Sequence, residues 1–336
     1  MLFLYNLGIF FYGFLARLLA LWNPKAKLYI VGRNNIFSRI EQALQQQTKP
    51  LAWFHCASLG EFEQAKPVIE AFRKKYPDFF IFLTFFSPSG YEIRKNYAGA
   101  DAIFYLPTDT QANARRFISR LKPDLVCFVK YDLWYHYLTE LKKRQIKTIL
   151  FSAIFRQNQL FFKSYGHFYR NILACFNHIF VQNDSSLVLL QSIGITQTSV
   201  AGDTRFDSVA ENFANKKEIL IAEKFKDGKK LLIVGSCWEA DLTLIIDFIS
   251  QFSYPLKIII APHEIKEWYF SKIEKEVNKK SVRFSQADVL TIAKAEILLI
   301  DNVGMLANLY KYGDFAYVGG GFGEGLQNFL ETAVFG

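Results

Sequence analysis

The chain has 336 residues, 51% of them hydrophobic and 21% charged, with a net charge of +9. That length holds two domains of ordinary size, and the apolar share excludes a disordered or low-complexity protein. The surplus of cations favours an anionic partner, whether a phosphorylated substrate, an acidic lipid surface or nucleic acid, and the four cysteines form no C-x-x-C pair, which argues against a zinc or disulfide framework.

Met1 to Trp22 is almost wholly apolar, broken only by Asn6 and Arg17. At about 1.5 Å of rise per residue it could just cross a hydrocarbon core, so residues 1–22 read as a membrane anchor or an interfacial helix. Lys25, Lys27, Arg33 and Arg39 follow and would keep the body on the cytoplasmic side. From Leu51 short apolar runs alternate with amphipathic ones. Strands are expected over Leu51–Ser58, Phe79–Ser87, Ala102–Pro107, Asp124–Val129, Thr148–Ser152 and His178–Gln182. Helices are expected over Glu61–Lys75, Ser89–Tyr97, Gln111–Leu121, Leu133–Arg144, Leu160–Ala174 and Ser185–Ser192. Runs of this kind, bounded by Pro, Gly, Asp and Ser, suit buried parallel strands.

A polar stretch, Glu211–Lys230, then reads as a connection. Beyond it, strands are expected over Leu231–Gly235, Lys257–Ala261, Ile297–Ile300 and Phe315–Gly319, with helices over Ala240–Gln251, Ile265–Asn278, Met305–Tyr312 and from about Leu326. The alternation predicts an α/β protein of two doubly wound domains, residues 23–205 and 206–336, with a cleft outside the carboxyl ends of both sheets.

Four constellations could carry chemistry. In His55-Cys-Ala-Ser-Leu-Gly-Glu61 a strand runs through Ser58 and Gly60 to a carboxylate that opens a helix; it is either a general base or a residue favoured there by the helix dipole. In Val129-Lys-Tyr-Asp-Leu-Trp134, Lys130 and Asp132 share a strand-to-helix junction, where Asp132 could simply cap its helix. In Gly202-Asp-Thr-Arg-Phe-Asp207, Arg205 could hold a phosphate or a carboxylate, or pair with Asp203 or Asp207. The fourth set follows the later strands: Gly235-Ser236, Pro262-His263, Gly304-Met305-Leu306, and the tail with Gly320, Gly321 and Asn328-Phe329-Leu330-Glu331. Small, polar turns before helices form a cradle for a nucleotide, and Asn328 and Glu331 fall one helical turn apart. There is no G-x-G-x-x-G after a first strand and no Walker lysine, and with five scattered histidines no metal site is expected.

In the order S-L-G-E, S-P-S-G, D-L-W, G-D-x-R-F-D, G-S, G-G-G and N-x-x-E, the whole chain resembles the 3-deoxy-D-manno-octulosonic acid (Kdo) transferases of lipopolysaccharide synthesis. H-C-A-S-L-G-E-F-E-Q, T-F-F-S-P-S-G-Y-E and S-A-I-F-R look like the branch found in Bacteroidetes-type bacteria. The resemblance implies a glycosyltransferase-B fold, with acceptor on the first domain and nucleotide sugar on the second. It implies Glu61 as base, shaped by Ser58 and Gly60, and CMP on Pro262-His263, Gly304-Met305-Leu306 and Asn328 to Glu331. It also implies CMP-Kdo as donor and no cofactor, a lipid A precursor as acceptor, an anionic membrane surface rather than nucleic acid as partner, and the cytoplasmic side of the inner membrane as location.

The chain departs from the family pattern in places. Many members read M-E-T-E-L-W-P-N where Val129-Lys-Tyr-Asp-Leu-Trp-Tyr-His136 stands, so a second catalytic carboxylate is in doubt. Many read P-R-H where Ala261-Pro-His263 stands. The family also continues beyond the A-V-F-G at the end, so the second domain is expected to be truncated. Two other readings stay open: another glycosyltransferase-B enzyme using a UDP or CMP sugar, and a non-catalytic lipid- or nucleotide-binding module.

Overall fold

The structure is a computed structural model that describes residues 1–214, 218–322 and 329–335. It divides into two compact units, Met1–Ser208 and Val209–Gly336.

The first unit opens with three helices, α1 (Leu2–Leu19), α2 (Pro24–Val31) and α3 (Ile36–Ala43). Asn23 caps α2, accepting from the backbone N–H groups of Lys25 and Ala26, and Pro24 supplies a first helical residue that needs no acceptor. The alternating series follows: β1 (Leu51–Cys56), α4 (Leu59–Lys75), β2 (Phe80–Phe85), α5 (Pro88–Arg94), β3 (Ala102–Tyr105), α6 (Gln111–Leu121), β4 (Leu125–Val129), α7 (Tyr135–Lys143), β5 (Lys147–Ala153), α8 (His167–Leu173), β6 (His178–Val181), α9 (Asp184–Ser192) and β7 (Thr198–Val200). The strands pair in parallel in the order β3-β2-β1-β4-β5-β6-β7. Both faces of this sheet are covered, which is why its central strands read as unbroken apolar runs. Aromatic rings fill much of the space: Trp53, Phe82, Phe117, Phe128 and Tyr137 pack on one face, and Phe54, Phe62 and Phe85 on the other. The chain lays down β1, β2 and β3 outward in one direction, then returns to the far side of β1 for β4. The switch point therefore lies between the carboxyl ends of β1 and β4, where ligands bind in folds of this kind.

The boundary at Ser208 falls within α10 (Arg205–Ala214). The second unit holds α11 (Leu220–Lys226), β8 (Leu231–Cys237), α12 (Glu239–Gln251), β9 (Lys257–Pro262), α13 (Glu267–Glu276), β10 (Ser281–Arg283), α14 (Val289–Lys294), β11 (Ile297–Leu299), α15 (Leu306–Leu309), β12 (Phe315–Val318) and α16 (Phe329–Ala333). Its parallel sheet has the order β10-β11-β9-β8-β12, so its switch point lies between β8 and β12. The four cysteines are free and buried.

Several expected elements come out differently. The helix expected over Leu160–Ala174 is a short 3-10 turn, Leu160–Phe162, and then α8. Between them the chain folds back so tightly that a Cβ on Gly166 would lie 2.1 Å from the Leu160 carbonyl oxygen. The polar connection Glu211–Lys230 carries part of α10 and all of α11, whose Ala222 and Phe225 are fully buried. Met305–Tyr312 divides into α15 and a 3-10 turn, Tyr310–Tyr312. β7, β10 and α14 had no counterpart in the pattern, because three residues such as Ser281–Arg283 are too few to alternate visibly.

Candidate functional site

The first sheet's switch point gathers the residues of two of the sequence motifs. Ser58 ends the strand segment as N-cap of α4, and Glu61 stands three residues on, in the first turn. S-x-x-E has the spacing of a capping box, but no box forms. Ser58 makes no side-chain cap and instead donates its hydroxyl to the Glu61 carboxylate. The helix N-terminus favours the negative charge, and the serine fixes the direction of the carboxylate. Gly60 was expected to supply a tight turn; it is instead an exposed residue inside α4, with no strain in its backbone. A Cβ there would meet nothing closer than Ser58 Oγ at 3.8 Å, so the missing side chain leaves the surface beside Glu61 bare. The S-P-S-G motif has a packing role. A Cβ on Gly90 would come within 2.3 Å of the Phe85 ring and 3.1 Å of the Ser58 backbone, so only glycine lets α5 close on that turn.

Across the switch point, Lys130 leaves β4 in the left-handed conformation, with φ of 57°, and its N–H bonds the Phe151 carbonyl at 3.0 Å. A lysine in that region is a local strain of about 1–3 kcal/mol, of the kind that collects at functional sites. Asp132 does not cap α7, whose N-cap is Trp134. Its Oδ2 meets Nε2 of His55, which is fully buried in β1. His55 Nδ1 lies 2.8 Å from the Thr84 hydroxyl, and that hydroxyl also accepts from Trp53 Nε1 at 2.7 Å. Trp134 Nε1 comes to 3.2 Å from His55 Nε2, and its ring packs on Phe86 at 4.5 Å. The D-L-W turn is thus held to the centre of the sheet through His55. Burial drives the Cys56 thiol well above its ordinary pKa, and the charges of Glu61 and Asp132 push the same way. Both carboxylates therefore bear on one small region, and the thiol there stays protonated.

The G-D-x-R turn closes onto the same unit. Thr204 donates to the Gln64 carbonyl of α4 at 2.7 Å and lies 3.2 Å from the Ser152 hydroxyl at the end of β5. Of the alternatives for Arg205, the pair with Asp203 is the one formed, through Nε at 2.9 Å and Nη2 at 2.5 Å.

In the second unit the site is made of backbone. Ser236, near the end of β8, has φ of 51°, and Gly320, after β12, has φ of 97°. Gly235 admits Tyr310, whose hydroxyl would lie 1.9 Å from a Cβ, and a Cβ on Gly319 would lie 2.4 Å from the Ser236 carbonyl oxygen. The organiser is Asp241, fully buried in α12. It accepts from the N–H of Trp238 at 2.9 Å, from the N–H of Gly320 at 2.9 Å and from the Tyr317 hydroxyl at 2.7 Å. One carboxylate so fixes the ends of both switch-point strands. Pro262 ends β9, and the exposed His263 stacks on Trp238 with ring centres 3.8 Å apart and planes 17° apart. Gly304 turns with φ of 91° ahead of Met305 and Leu306 at the start of α15. Gly321 is exposed, Phe329 and Leu330 lie in α16, and Asn328 and the side chain of Glu331 lie outside the described residues.

The sequence reading therefore named Glu61, Ser58, Lys130 and Asp132 together, and the fold brings them to one switch point. It missed His55 and Asp241. His55 sat in view beside the S-L-G-E motif, but nothing in spacing links it to Asp132, 77 positions on. Asp241 carried a helix-start signal only. Among the described residues no group of three or more His, Cys, Asp or Glu could hold a metal ion.

A family model described as 3-deoxy-D-manno-octulosonic-acid transferase matches residues 34–208. A 3-deoxy-D-manno-octulosonic acid transferase from Chlamydia trachomatis is 26% identical over 295 residues, covering 84% of this chain and 67% of that protein. One from Rickettsia felis is 26% identical over 295 residues, covering 85% of this chain and 62% of that protein. The chain thus spans about two thirds of the length of these relatives, and they leave the Bacteroidetes-type branch undecided. Among solved structures, a UDP-GlcNAc 2-epimerase from Neisseria meningitidis bound to UDP-GlcNAc superimposes with a TM-score of 0.53 at 15% identity, covering 80% of this chain and 76% of that one. That likeness gives the fold, which is the glycosyltransferase-B type expected from the sequence.

Proposed function

Because this chain belongs to the 3-deoxy-D-manno-octulosonic-acid transferase family, a family of glycosyltransferases, we propose that it moves Kdo from CMP-Kdo to the lipid A precursor, inverting the anomeric carbon without a metal. The observation that carries the reading is Glu61. Its carboxylate stands at the switch point of the first sheet, steadied by the Ser58 hydroxyl and beside a bare glycine. There it takes the proton of an acceptor hydroxyl as the oxygen attacks the anomeric carbon. CMP leaves with the electron pair, and its phosphate charge is met by helix N-termini and cations. Asp132, tied to His55, acts by positioning, and Lys130 is a cation at the same rim. In the second unit the start of α12, which follows Gly235-Ser236 and is tied to the Gly319-Gly320 turn through Asp241, offers its helix N-terminus to a phosphate, and the exposed His263 ring, stacked on Trp238, offers a flat face to a base.

The same reading places the protein on the cytoplasmic side of the inner membrane, held by α1. That helix is long and apolar enough to cross a membrane. Yet one face is tied to the protein: the Tyr5 hydroxyl donates to Asp109 at 2.5 Å and accepts from the Tyr135 N–H at 3.2 Å, and Asn6 Oδ1 lies 2.7 Å from His136 Nε2. The opposite face leaves Leu7, Phe11, Phe14 and Leu18 exposed. A helix polar-bonded along one side and apolar along the other suits an interfacial position. The test of the function is release of CMP from CMP-Kdo by the full chain, with and without a tetraacylated lipid A precursor, and the mass of the lipid product. Acceptor-dependent CMP release with a product heavier by one Kdo is expected. Donor binding without release would leave the non-catalytic module as the better reading.

A further inference from the structure

The first unit holds a second polar site that the transfer chemistry leaves unused. A cavity of about 320 Å³ lies at the carboxyl end of β3, lined among others by Arg33, Asn35, Ser38, Thr108, Asn113 and Arg116. Its side chains are two guanidiniums, two amides and two hydroxyls, without a carboxylate. Arg33 is the unusual member. Gly32 before it lets the Tyr105 ring approach to where a Cβ would be 2.2 Å away, and the guanidinium sits in the aromatic pocket that results. It lies 3.7 Å from the Tyr29 ring centre, 4.7 Å from that of Tyr105 and 5.2 Å from that of Phe86. It donates to the carbonyls of Leu106 at 2.9 Å, Tyr29 at 3.0 Å and Phe86 at 2.7 Å.

Those three bonds clip α2 to the ends of β2 and β3, and a purely structural role would end there. The charge is what such a role does not account for. A guanidinium has five N–H donors, and three are spoken for. Among the described residues no carboxylate lies within ion-pair distance of Arg33, and burial lowers its pKa from the ordinary arginine value. A cation buried among rings and carbonyls without an anion is costly, and the cost falls when an anion binds beside it. Arg116 contributes the second charge from α6. Among the described residues its one carboxylate contact is a long one, 3.5 Å to the half-buried Glu41, and it packs on Phe37 at 4.3 Å. Asn35 reaches the cavity from the left-handed conformation, with φ of 50°, and makes no side-chain cap to α3.

We infer that this cavity binds a phosphate group, through the Arg33 and Arg116 guanidiniums with Asn35, Ser38 and Asn113 completing its hydrogen bonds. Paired guanidiniums match the oxygens of a phosphate in a way that a lone ammonium cannot. The group can come from solution or on a lipid headgroup, since the exposed apolar face of α1 belongs to the same unit. The site goes beyond the transfer reading and does not depend on it.

The test uses the full chain with two probes, inorganic phosphate followed by calorimetry, and vesicles of phosphatidylcholine with or without phosphatidic acid. Arg33→Gln breaks the clip and can unfold the unit, so Arg116→Gln and Ser38→Glu carry the test, with a thermal melt confirming that each is folded. Each variant is expected to weaken phosphate binding about tenfold or more, Arg116→Gln by the loss of a charge-assisted bond and Ser38→Glu by like-charge repulsion. A lipid-borne source appears as extra vesicle binding with phosphatidic acid that both variants lose. If wild-type protein binds neither probe, or both folded variants bind both as well as wild type, the inference is overturned. Loss of this site with CMP release intact removes the phosphate site alone; loss of CMP release with phosphate binding intact removes the transfer reading alone.

Discussion

The two switch points solve the same problem with different materials. In the first unit the rim between β1 and β4 is built of side chains: Glu61 held by Ser58, and Asp132 against His55, whose Nδ1 meets the Thr84 hydroxyl that Trp53 fixes. In the second unit the rim between β8 and β12 is built of backbone, glycines and a left-handed serine locked by one buried carboxylate, Asp241. A side-chain rim can move protons and discriminate hydroxyls. A rigid backbone rim at the start of a helix is suited to holding a phosphate rather than reacting with it. In the proposed function the first rim would activate the acceptor and the second would bind the donor.

The sharpest way to test that division is to remove its reactive member. Glu61→Gln keeps the shape of the rim and removes the proposed base. Transfer is expected to fall about 10²- to 10⁴-fold, with CMP-Kdo affinity nearly unchanged. Turnover above about half of wild type, measured by CMP release, would take the base away from the first unit. In the second unit the corresponding blow is structural. Asp241→Ala strips an acceptor from the Trp238 N–H, the Gly320 N–H and the Tyr317 hydroxyl at once. At about 1–3 kcal/mol for each donor left unpaired, a loss of about 3–5 kcal/mol is expected in denaturant unfolding. Nucleotide binding should weaken with it. A small stability loss would mean that the glycine turn holds its shape without the carboxylate.

The contrast also explains what could be read from the sequence. The alternation of apolar runs gave both sheets, because parallel strands buried on two faces leave an unbroken mark such as Leu231–Val234. Edge elements such as β7 and β10 left none. Glu61 was singled out by its place in S-L-G-E at a strand-to-helix junction, although the helix dipole alone also favours an acid there. The His55–Asp132 contact was not, since it joins β1 to the turn after β4 and depends on the sheet order that places them side by side. Asp241 was hidden for the opposite reason. An acid in the first turn of a helix is ordinary, and only the fold shows that its partners lie 76 and 79 positions away. Asp132 looked like a cap and is not one, because its side chain finds a buried histidine before it finds a backbone N–H.

The glycines extend the contrast to smaller effects. Gly235→Ala would press a methyl against the Tyr310 hydroxyl, 1.9 Å from the ideal Cβ position, and against Leu306 at 2.9 Å. Overpacking of that kind costs about 1–3 kcal/mol, to be read as a lowered unfolding midpoint. An unchanged midpoint would mean that α15 and the Tyr310–Tyr312 turn after it move aside freely.

Gly60→Ala is the matching change in the first unit and should act in the other direction on stability. Gly60 is helical, with nothing nearer its Cβ position than Ser58 Oγ at 3.8 Å. An alanine there is expected to leave the fold intact or stabilise it by about 0.4–1 kcal/mol, because the unfolded chain loses more freedom than the helix does. Its effect on transfer is what separates two roles for the bare surface. If the space beside Glu61 is where the acceptor sugar approaches, the methyl raises KM for the lipid while CMP-Kdo binding stays as it was. If transfer kinetics are unchanged in a protein that is as stable or more so, the acceptor does not pass over the first turn of α4, and the side-chain rim is engaged from the Asp132 side instead.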